Sequence, residues 1–280
     1  MILIADSGST KTDWVAISDT ESISFQTIGF SPYFVEHSDI SSILLSALPQ
    51  KIDTNAITQI FFYGAGCSAE SSKKIIQTAL SYIFTHANIQ VNTDLVGAAI
   101  ALLGNTPGII AILGTGMNVG YWNGTNIEYT SPSLGYILGD EGSGAYLGKL
   151  LLTAYFYDEL PEDISQKFKH KYNLTRDECI HKIYKEAFPN KYLAAFCEFL
   201  HETKQHTYSK TLVKWAFQEF TEKHILKIAG KFQNFRIFVI GSVGYHFADI
   251  LKEICTEKNI ELIRVEKSPI AGLHEYHSHV

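Results

Sequence analysis

The sequence predicts an α/β protein assembled from two similar halves, and three observations lead there. Apolar runs of strand length alternate with longer segments of helical spacing, an order that lays helices on a mixed sheet. A strand, a turn of glycine and hydroxyl residues and a second strand occupy residues 2–17, and the pattern returns at 108–122. At 280 residues the chain is long for one core and ample for two.

Each element follows in order. Ile2-Leu3-Ile4-Ala5 is an apolar strand that runs into Asp6-Ser7-Gly8-Ser9-Thr10-Lys11-Thr12, and Trp14–Ile17 is apolar again but too short for a helix. The simplest backbone is a hairpin, with Gly8 supplying the turn freedom. Residues 22–28 alternate as a third strand, Gly29–Tyr33 is a loop, and 40–48 is a helix ending before Pro49. A buried strand at 57–63 ends in Gly64-Ala65-Gly66-Cys67-Ser68, and a helix at 69–85 follows. Residues 89–91 form a short strand before Thr93-Asp94, and 95–103 is a helix of small apolar residues.

The second round opens with a strand at 108–113, the turn Gly114-Thr115-Gly116, a strand at 117–122, the hairpin turn Asn123-Gly124 and a strand at 126–129. Residues 131–144 read as a glycine-rich loop and 145–157 as a helix. From 161 to 230 several helices succeed one another, with breaks near Asn173, Pro189 and His206. A buried strand at 235–240 leads through Gly241-Ser242-Val243-Gly244 into a helix to Glu257, and 260–265 is the last strand. Ser268 and Pro269 open a C-terminal helix, as cap and first turn.

Composition excludes several classes. The hydrophobic share of 46% with 19% charged residues is that of a soluble globular chain. A formal charge of -6 and the lack of a dense Lys/Arg run give no footprint for nucleic acid. Cys67, Cys179, Cys197 and Cys255 are scattered without a C-x-x-C pair, which argues against a zinc site or a disulfide framework and fits a reducing, cytoplasmic setting. No basic leader precedes the first strand. Residues 95–127 carry no charge, yet Asn105-Thr106-Pro107-Gly108 divides them into helix, turn and strand rather than a membrane span. The histidines of the helical block (His170, His181, His201, His206, His224) lack ligand spacing and read as surface or structural.

Four glycine turns at strand ends carry the chemistry: 6–12, 114–118, 139–144 and 241–244, accompanied by Asp6, Asp94, Asp140 and Glu141. Turns of this kind present backbone N–H groups and hydroxyls to phosphate, and a carboxylate at the mouth suits Mg²⁺, which takes one or two carboxylates plus phosphate oxygens. A plain polar hairpin would read the same way at residues 6–12 taken alone. The segment is not a Walker A loop, because Thr10 rather than Gly precedes Lys11 and a strand rather than a helix follows. Asp94 at a helix head also suits an N-cap, and Asp140-Glu141 a solvated turn.

On these motifs the chain resembles the N-acetylglucosamine kinase family of the sugar kinase–Hsp70–actin superfamily, a branch shared with the activator ATPases of benzoyl-CoA reductase and hydroxyacyl-CoA dehydratases. Asp6 to Asp13 matches the first phosphate motif, Gly114 to Asn118 the second, Gly135 to Tyr146 a family loop and Gly241 to Gly244 the adenosine motif. The resemblance implies two ribonuclease-H-like lobes, each with a mixed five-stranded sheet, and an interlobe cleft. One lobe would comprise 1–104 and 267–280, the other 105–266.

It further implies an ATP- and Mg²⁺-dependent phosphorylation of an amino sugar, with the 6-hydroxyl of N-acetylglucosamine as the expected acceptor. Asp94 would be the general base, also touching the sugar, and Asp6 the Mg²⁺ ligand. Ser9, Thr10 and Lys11 would border the phosphates from one side and Gly114, Thr115 and Gly116 from the other, although Lys11 on a hairpin turn also suits solvent. Gly241, Ser242 and Gly244 would border adenosine, and Gly64, Asp140 and Glu141 the sugar, with Glu141 also in reach of metal. The partner is then a small amino sugar, with no nucleic acid or membrane, and a homodimer is compatible. Gly29-Phe30-Ser31-Pro32-Tyr33-Phe34 lacks the Asn that such kinases place there against the sugar, so N-acetylmuramic acid and glucosamine stand beside N-acetylglucosamine as acceptors. The activator-ATPase alternative would need cysteines converging on an iron–sulfur cluster, and no closely spaced pair is present.

Overall fold

The computed structural model describes residues 1–18, 20–30 and 37–278, the side chains of His37 and Ser38 excepted. The segment Ser31-Pro32-Tyr33-Phe34, where the sugar-contacting Asn is missing, lies outside the described residues. The chain divides into two compact units, Met1–Pro107 with Trp122–Ile127 and Ser268–Val280, and Gly108–Tyr121 with Glu128–Lys267.

The first unit is built on β1 (Ile2–Ser7), β2 (Lys11–Ile17), β3 (Ser22–Ile28), β4 (Gln59–Gly64) and β5 (Asn88–Thr93), in the order β3-β2-β1-β4-β5. β1, β2 and β3 pair antiparallel, while β4 and β5 join parallel to β1. Both faces of β1 are covered, which is why it reads as an unbroken apolar run. Leu3 and Ala5 pack with Trp14, Phe62 and the inner faces of α1 (His37–Ala47) and α2 (Glu70–Ile83). Ile4 turns the other way, to Tyr63, Val96 and Ile100 of α3 (Asp94–Leu103) and Leu273 of the C-terminal helix (Ile270–His277). Trp14 anchors the first side: it stacks on Phe25 at 5.7 Å, meets Phe30 edge-on at 6.0 Å, and its indole N–H donates to Thr27 Oγ1 at 3.0 Å. Aromatic pairs of this geometry contribute about 0.5–1.5 kcal/mol each beyond their burial.

The second unit repeats the plan. β6 (Gly108–Leu113), β7 (Met117–Trp122), β8 (Ile127–Thr130), β9 (Arg236–Ile240) and β10 (Glu261–Glu266) stand in the order β10-β9-β6-β7-β8, and β6, β9 and β10 are parallel. Replacing β1–β5 by β6–β10 converts one order into the other, so the duplication expected from the turns holds for the whole sheet. Two mixed five-stranded sheets of this order are the ribonuclease-H-like arrangement.

The helices differ in detail from the sequence reading. The loop at 131–144 contains a single-turn helix, α4 (Gly135–Leu138), and Ser143 caps α5 (Gly144–Phe156) by accepting the Tyr146 N–H. The helical block is α6 (Glu162–Tyr172), α7 (Arg176–Lys185), α8 (Pro189–Ala195), α9 (Cys197–Glu202), α10 (Thr207–Phe220) and α11 (Leu226–Phe232). Its breaks fall at Asn173 in left-handed backbone, at Pro189 in the first turn of α8, and at His206, whose ring caps α10. A π-helical turn, Thr221–Ile225, joins α10 to α11. After β9 the expected single helix is two, α12 (Ser242–His246) and α13 (Ala248–Glu257), because Phe247 between them leaves helical backbone at φ -116°, ψ 27°. The C-terminal helix starts at Ile270 with Pro269 in the cap position, while Ser268 Oγ accepts the Ile270 N–H at 3.4 Å. Among the described residues no helix is long and apolar enough to cross a membrane.

Candidate functional site

The sequence-predicted residues gather into two groups, one in each unit. The first lies at the carboxyl ends of the parallel strands, where open α/β sheets bind ligands. Thr12, Ser7, Gly64 and Thr93 form one row across four strands, and Asp13, Asp6, Tyr63 and Asn92 the row beneath. Period-two alternation puts Asp6 on the same sheet face as Ile4, the face that α3 covers. The head of α3 therefore delivers Asp94 to Asp6.

Asp94 does not cap its helix. Thr93 does, its hydroxyl accepting the Val96 N–H at 3.3 Å, which leaves Asp94 as the first helical residue with its Oδ1 on the Leu95 N–H at 2.8 Å. Burial first, then the nearby Asp94 and Asp13 carboxylates, push Asp6 up to about 7, and Lys11 offsets this in part. Like charges crowded in this way raise the cost of ionising Asp6, and Lys11, the one ammonium among them, lies on Asp13. Among the described residues no group of three or more His, Cys, Asp or Glu side chains is arranged to enclose a metal.

The first turn is held by groups the sequence reading passed over. Ser7 Oγ bonds Thr12 Oγ1 at 2.7 Å and accepts the Phe30 N–H at 3.0 Å, and Thr12 Oγ1 reaches Ile28 O at 3.0 Å. These bonds lay the chain after β3 across the turn. The approach is so close that a Cβ on Gly29 would collide with Gly8 O and lie 2.7 Å from Ser9 C and 2.8 Å from Thr10 N, all backbone atoms. Ser9 and Thr10 sit at the tip, partly exposed. Lys11 turns its ammonium to Asp13, at 2.8 and 2.9 Å from the two carboxylate oxygens. Gly64 ends β4 beside Ser7, whose carbonyl accepts the Ala65 N–H at 2.8 Å, and a Cβ there would press on the Phe62 ring at 2.5 Å.

In the second unit three backbone segments converge. Gly114 N–H closes its turn on Gly116 O at 3.0 Å, and the Gly114 and Thr115 carbonyls accept the Gly144 and Ala145 N–H groups at 2.8 and 3.0 Å. Gly241, at φ +120°, lies against the same turn, where a Cβ would collide with Leu113 O and sit 3.0 Å from Gly114 N. Gly244 packs on Val239 and Leu113, and Ser242 between them is exposed. Gly114, Thr115 and Gly116 are thus held from below by the head of α5 and from the side by the β9–α12 turn.

Asp140 and Glu141 are buried, so the solvated-turn alternative does not apply. Asp140 takes left-handed backbone at φ +59°, and its carboxylate accepts the Met117 N–H and borders Gly116. Burial outweighs that bond and raises Asp140 to about 6. Glu141 behaves oppositely: burial pushes it up, but its own N–H, His224 and Lys223 carry it below the usual carboxylate range. His224 Nε2 lies 3.1 Å from Glu141 Oε2 and Lys223 Nζ donates to Oε1 at 3.0 Å. His224 is therefore a buried partner of the site and not a surface histidine; 83 residues separate it from Glu141, and no local pattern marks it. The four cysteines are buried free thiols, and burial holds Cys67, Cys197 and Cys255 up at about 12.

No family model and no curated protein matches the chain. Among solved structures, a protein from Porphyromonas gingivalis proposed to be an N-acetylglucosamine kinase is similar over 100% of both chains, with 36% identity and a TM-score of 0.93. A second protein so proposed, from Chromobacterium violaceum, is 16% identical over 98% of each chain, with a TM-score of 0.71. A ROK family glucokinase from Streptomyces griseus, in complex with glucose and AMPPNP, is 13% identical over 100% of this chain and 98% of its own, with a TM-score of 0.58. The last two likenesses speak for the fold alone.

Proposed function

We propose an ATP-dependent amino-sugar kinase, on the premise that this chain belongs to the N-acetylglucosamine kinase family of the sugar kinase–Hsp70–actin superfamily, as 36% identity over the whole of both chains establishes. The proposed acceptor is N-acetylglucosamine, phosphorylated at its 6-hydroxyl. The observation that carries the reading is the Asp6–Asp94 arrangement. Two carboxylates stand at the ends of parallel strands, one raised to about 7 and the other at the head of a helix.

Asp94 acts as general base, taking the proton from the sugar hydroxyl as its oxygen attacks the γ-phosphorus of ATP. The bond from that phosphorus to the bridging oxygen breaks and ADP leaves. Leu95 N–H holds one oxygen of Asp94 and so helps to orient the carboxylate. Asp6 would hold Mg²⁺ together with the ATP phosphates; bound there, the ion neutralises charge that the two aspartates would otherwise repel. Ser9 and Thr10 contribute hydroxyls and backbone N–H groups to the phosphates, and the Gly114–Gly116 turn is the corresponding phosphate segment of the second unit. With its ammonium on Asp13, Lys11 acts on phosphate through charge at a distance rather than by a direct bond.

A coupled ADP-release assay tests the reading with N-acetylglucosamine, N-acetylmuramic acid, glucosamine and glucose as acceptors. Strong stimulation by N-acetylglucosamine is expected. Stimulation by another amino sugar alone would reassign the acceptor, and none by any sugar would overturn the kinase reading.

A further inference from the structure

The π-helical turn Thr221–Ile225 interrupts what would otherwise be one long helix from α10 to α11. Such turns are rare and concentrate at functional sites, because the extra residue re-aims neighbouring side chains at the expense of regular hydrogen bonding. Here it leaves Thr221 Oγ1 buried without a partner among the described residues. What it delivers is two consecutive side chains, Lys223 and His224, to Glu141, with Lys223 also pairing with Glu219 at 2.7 Å. Each takes a different oxygen of Glu141, at 3.0 and 3.1 Å. His224 then uses its second nitrogen, Nδ1, on Ser131 Oγ at 2.7 Å, while Ser131 N–H donates to Val119 O at 3.0 Å. One buried ring thus ties the start of the 131–144 segment to a point near its end.

α10 supports the same segment from beneath. Gly142, at φ +78°, sits so close that a Cβ would lie 3.0 Å from Phe220 Cβ and 3.3 Å from Phe217 Cδ1. Glu141 is flanked by Asp140, in left-handed backbone with its carboxylate on the Met117 N–H, and by this close-packed glycine. Left-handed backbone is costly for a residue with a Cβ and persists where the surroundings impose it.

We propose that Lys223 and His224 are positioning residues: by occupying both oxygens of Glu141 they make it an anchor rather than a ligand of sugar or metal, and so hold Asp140 against the Gly114–Met117 turn. This rests on the kinase reading for its effect on turnover but not for the clamp itself. Glu141 does its work inside the protein, as the anchor of the segment that carries Asp140.

The test compares His224→Ala, His224→Gln and Lys223→Met with the unaltered chain in two measurements. The first is amide hydrogen exchange at Met117, whose N–H Asp140 holds, and at residues 139–144. Exchange is expected to rise about tenfold or more in His224→Ala and Lys223→Met, from loss of a bond to a buried charge, with the strand β9 amides unchanged. In His224→Gln, whose amide can donate to the same oxygen, it is expected to return toward the original rate. Unchanged exchange at Met117, or a uniform rise across the unit that Gln does not reverse, would overturn the clamp. The second is steady-state kinetics, with KM for the acceptor sugar rising about tenfold in His224→Ala while KM for ATP stays within about twofold. If the unaltered chain phosphorylates no amino sugar, the kinase reading falls, and the exchange result still decides the clamp.

Discussion

Asp6 and Asp13 stand directly opposite each other in the β1–β2 register, and Lys11 directs its ammonium to Asp13. Gln26 adds a second bond to Asp13 at 2.6 Å. One carboxylate of the pair is thus settled by protein groups, while the other, pressed by burial and by Asp94, is raised to about 7. The asymmetry separates a structural aspartate from one suited to a cation.

It also fixes the sign of a pH effect. Asp6 titrates at 3.8 in the unfolded chain and at about 7 in the folded one, so between these values the folded state binds more protons. Stability from this group falls as pH rises from about 4 to about 7 and is level above that. Asp6→Asn should remove that slope and stabilise the metal-free protein at pH 8 by roughly 2–4 kcal/mol, about 1.4 kcal/mol per unit of pKa difference. Chemical denaturation of both forms at pH 5 and pH 8 measures it. An Asn variant with the parent's pH slope would show that Asp6 is not the buried charge.

The turn between β1 and β2 depends on a contact from outside it. Gly29→Ala should displace Gly8–Thr10, since the new Cβ meets backbone atoms that cannot rotate away. Overpacking of this kind costs about 1–3 kcal/mol. The effect on phosphate-bearing ligands should exceed the effect on stability, because the displaced atoms are the turn itself. ATP affinity measured by calorimetry, set beside the melting temperature, checks it. Wild-type affinity in Gly29→Ala would mean that the turn does not contact phosphate.

Much of this architecture was legible because its determinants are local. Apolar runs, glycine turns and the breaks at Asn173, Pro189 and His206 located strands and helices, and the repeated turn revealed the duplicated sheet. Asp6 and Asp94 could be singled out for the same reason, each lying at a strand end. What escaped was set by contacts distant in sequence. Gly29 looks like an ordinary loop glycine until the turn at 8–10 is laid on it. His224 sits in Thr221-Glu222-Lys223-His224-Ile225, a stretch with nothing to announce a π turn, and its partner Glu141 is 83 residues away. Tyr63 and His277, bonded at 2.9 Å and 214 residues apart, are a further case. Burial there lowers His277 to about 4, so the ring is neutral and structural.

The head of α3 allows capping and chemistry to be separated, because adjacent residues carry them. Thr93→Ala should cost about 0.5–2 kcal/mol of stability, the usual loss for an N-cap hydroxyl. Its effect on turnover should be modest, through fraying of the turn that holds Asp94. Thr93→Ser, which retains the acceptor oxygen for Val96 N–H, should recover most of the stability. Urea midpoints of the two variants provide the comparison, and equal losses in both would remove Thr93 from the cap.

Asp94→Asn is the complementary change. The Asn side-chain oxygen can still accept the Leu95 N–H, so the helix head keeps its bond and loses its charge. Phosphoryl transfer should fall by about 10²–10⁴-fold, the range a positioned general base contributes. ATP affinity should stay within a few-fold, since the proposed phosphate contacts lie elsewhere. The same substitution removes one of the carboxylates that raise Asp6, so the titration of Asp6 should move downward and the slope of stability with pH should shrink. Turnover, ATP binding and the pH slope read on one variant therefore test two claims at once. Retained turnover would exclude Asp94 as base, and an unchanged slope would show that the two carboxylates do not interact.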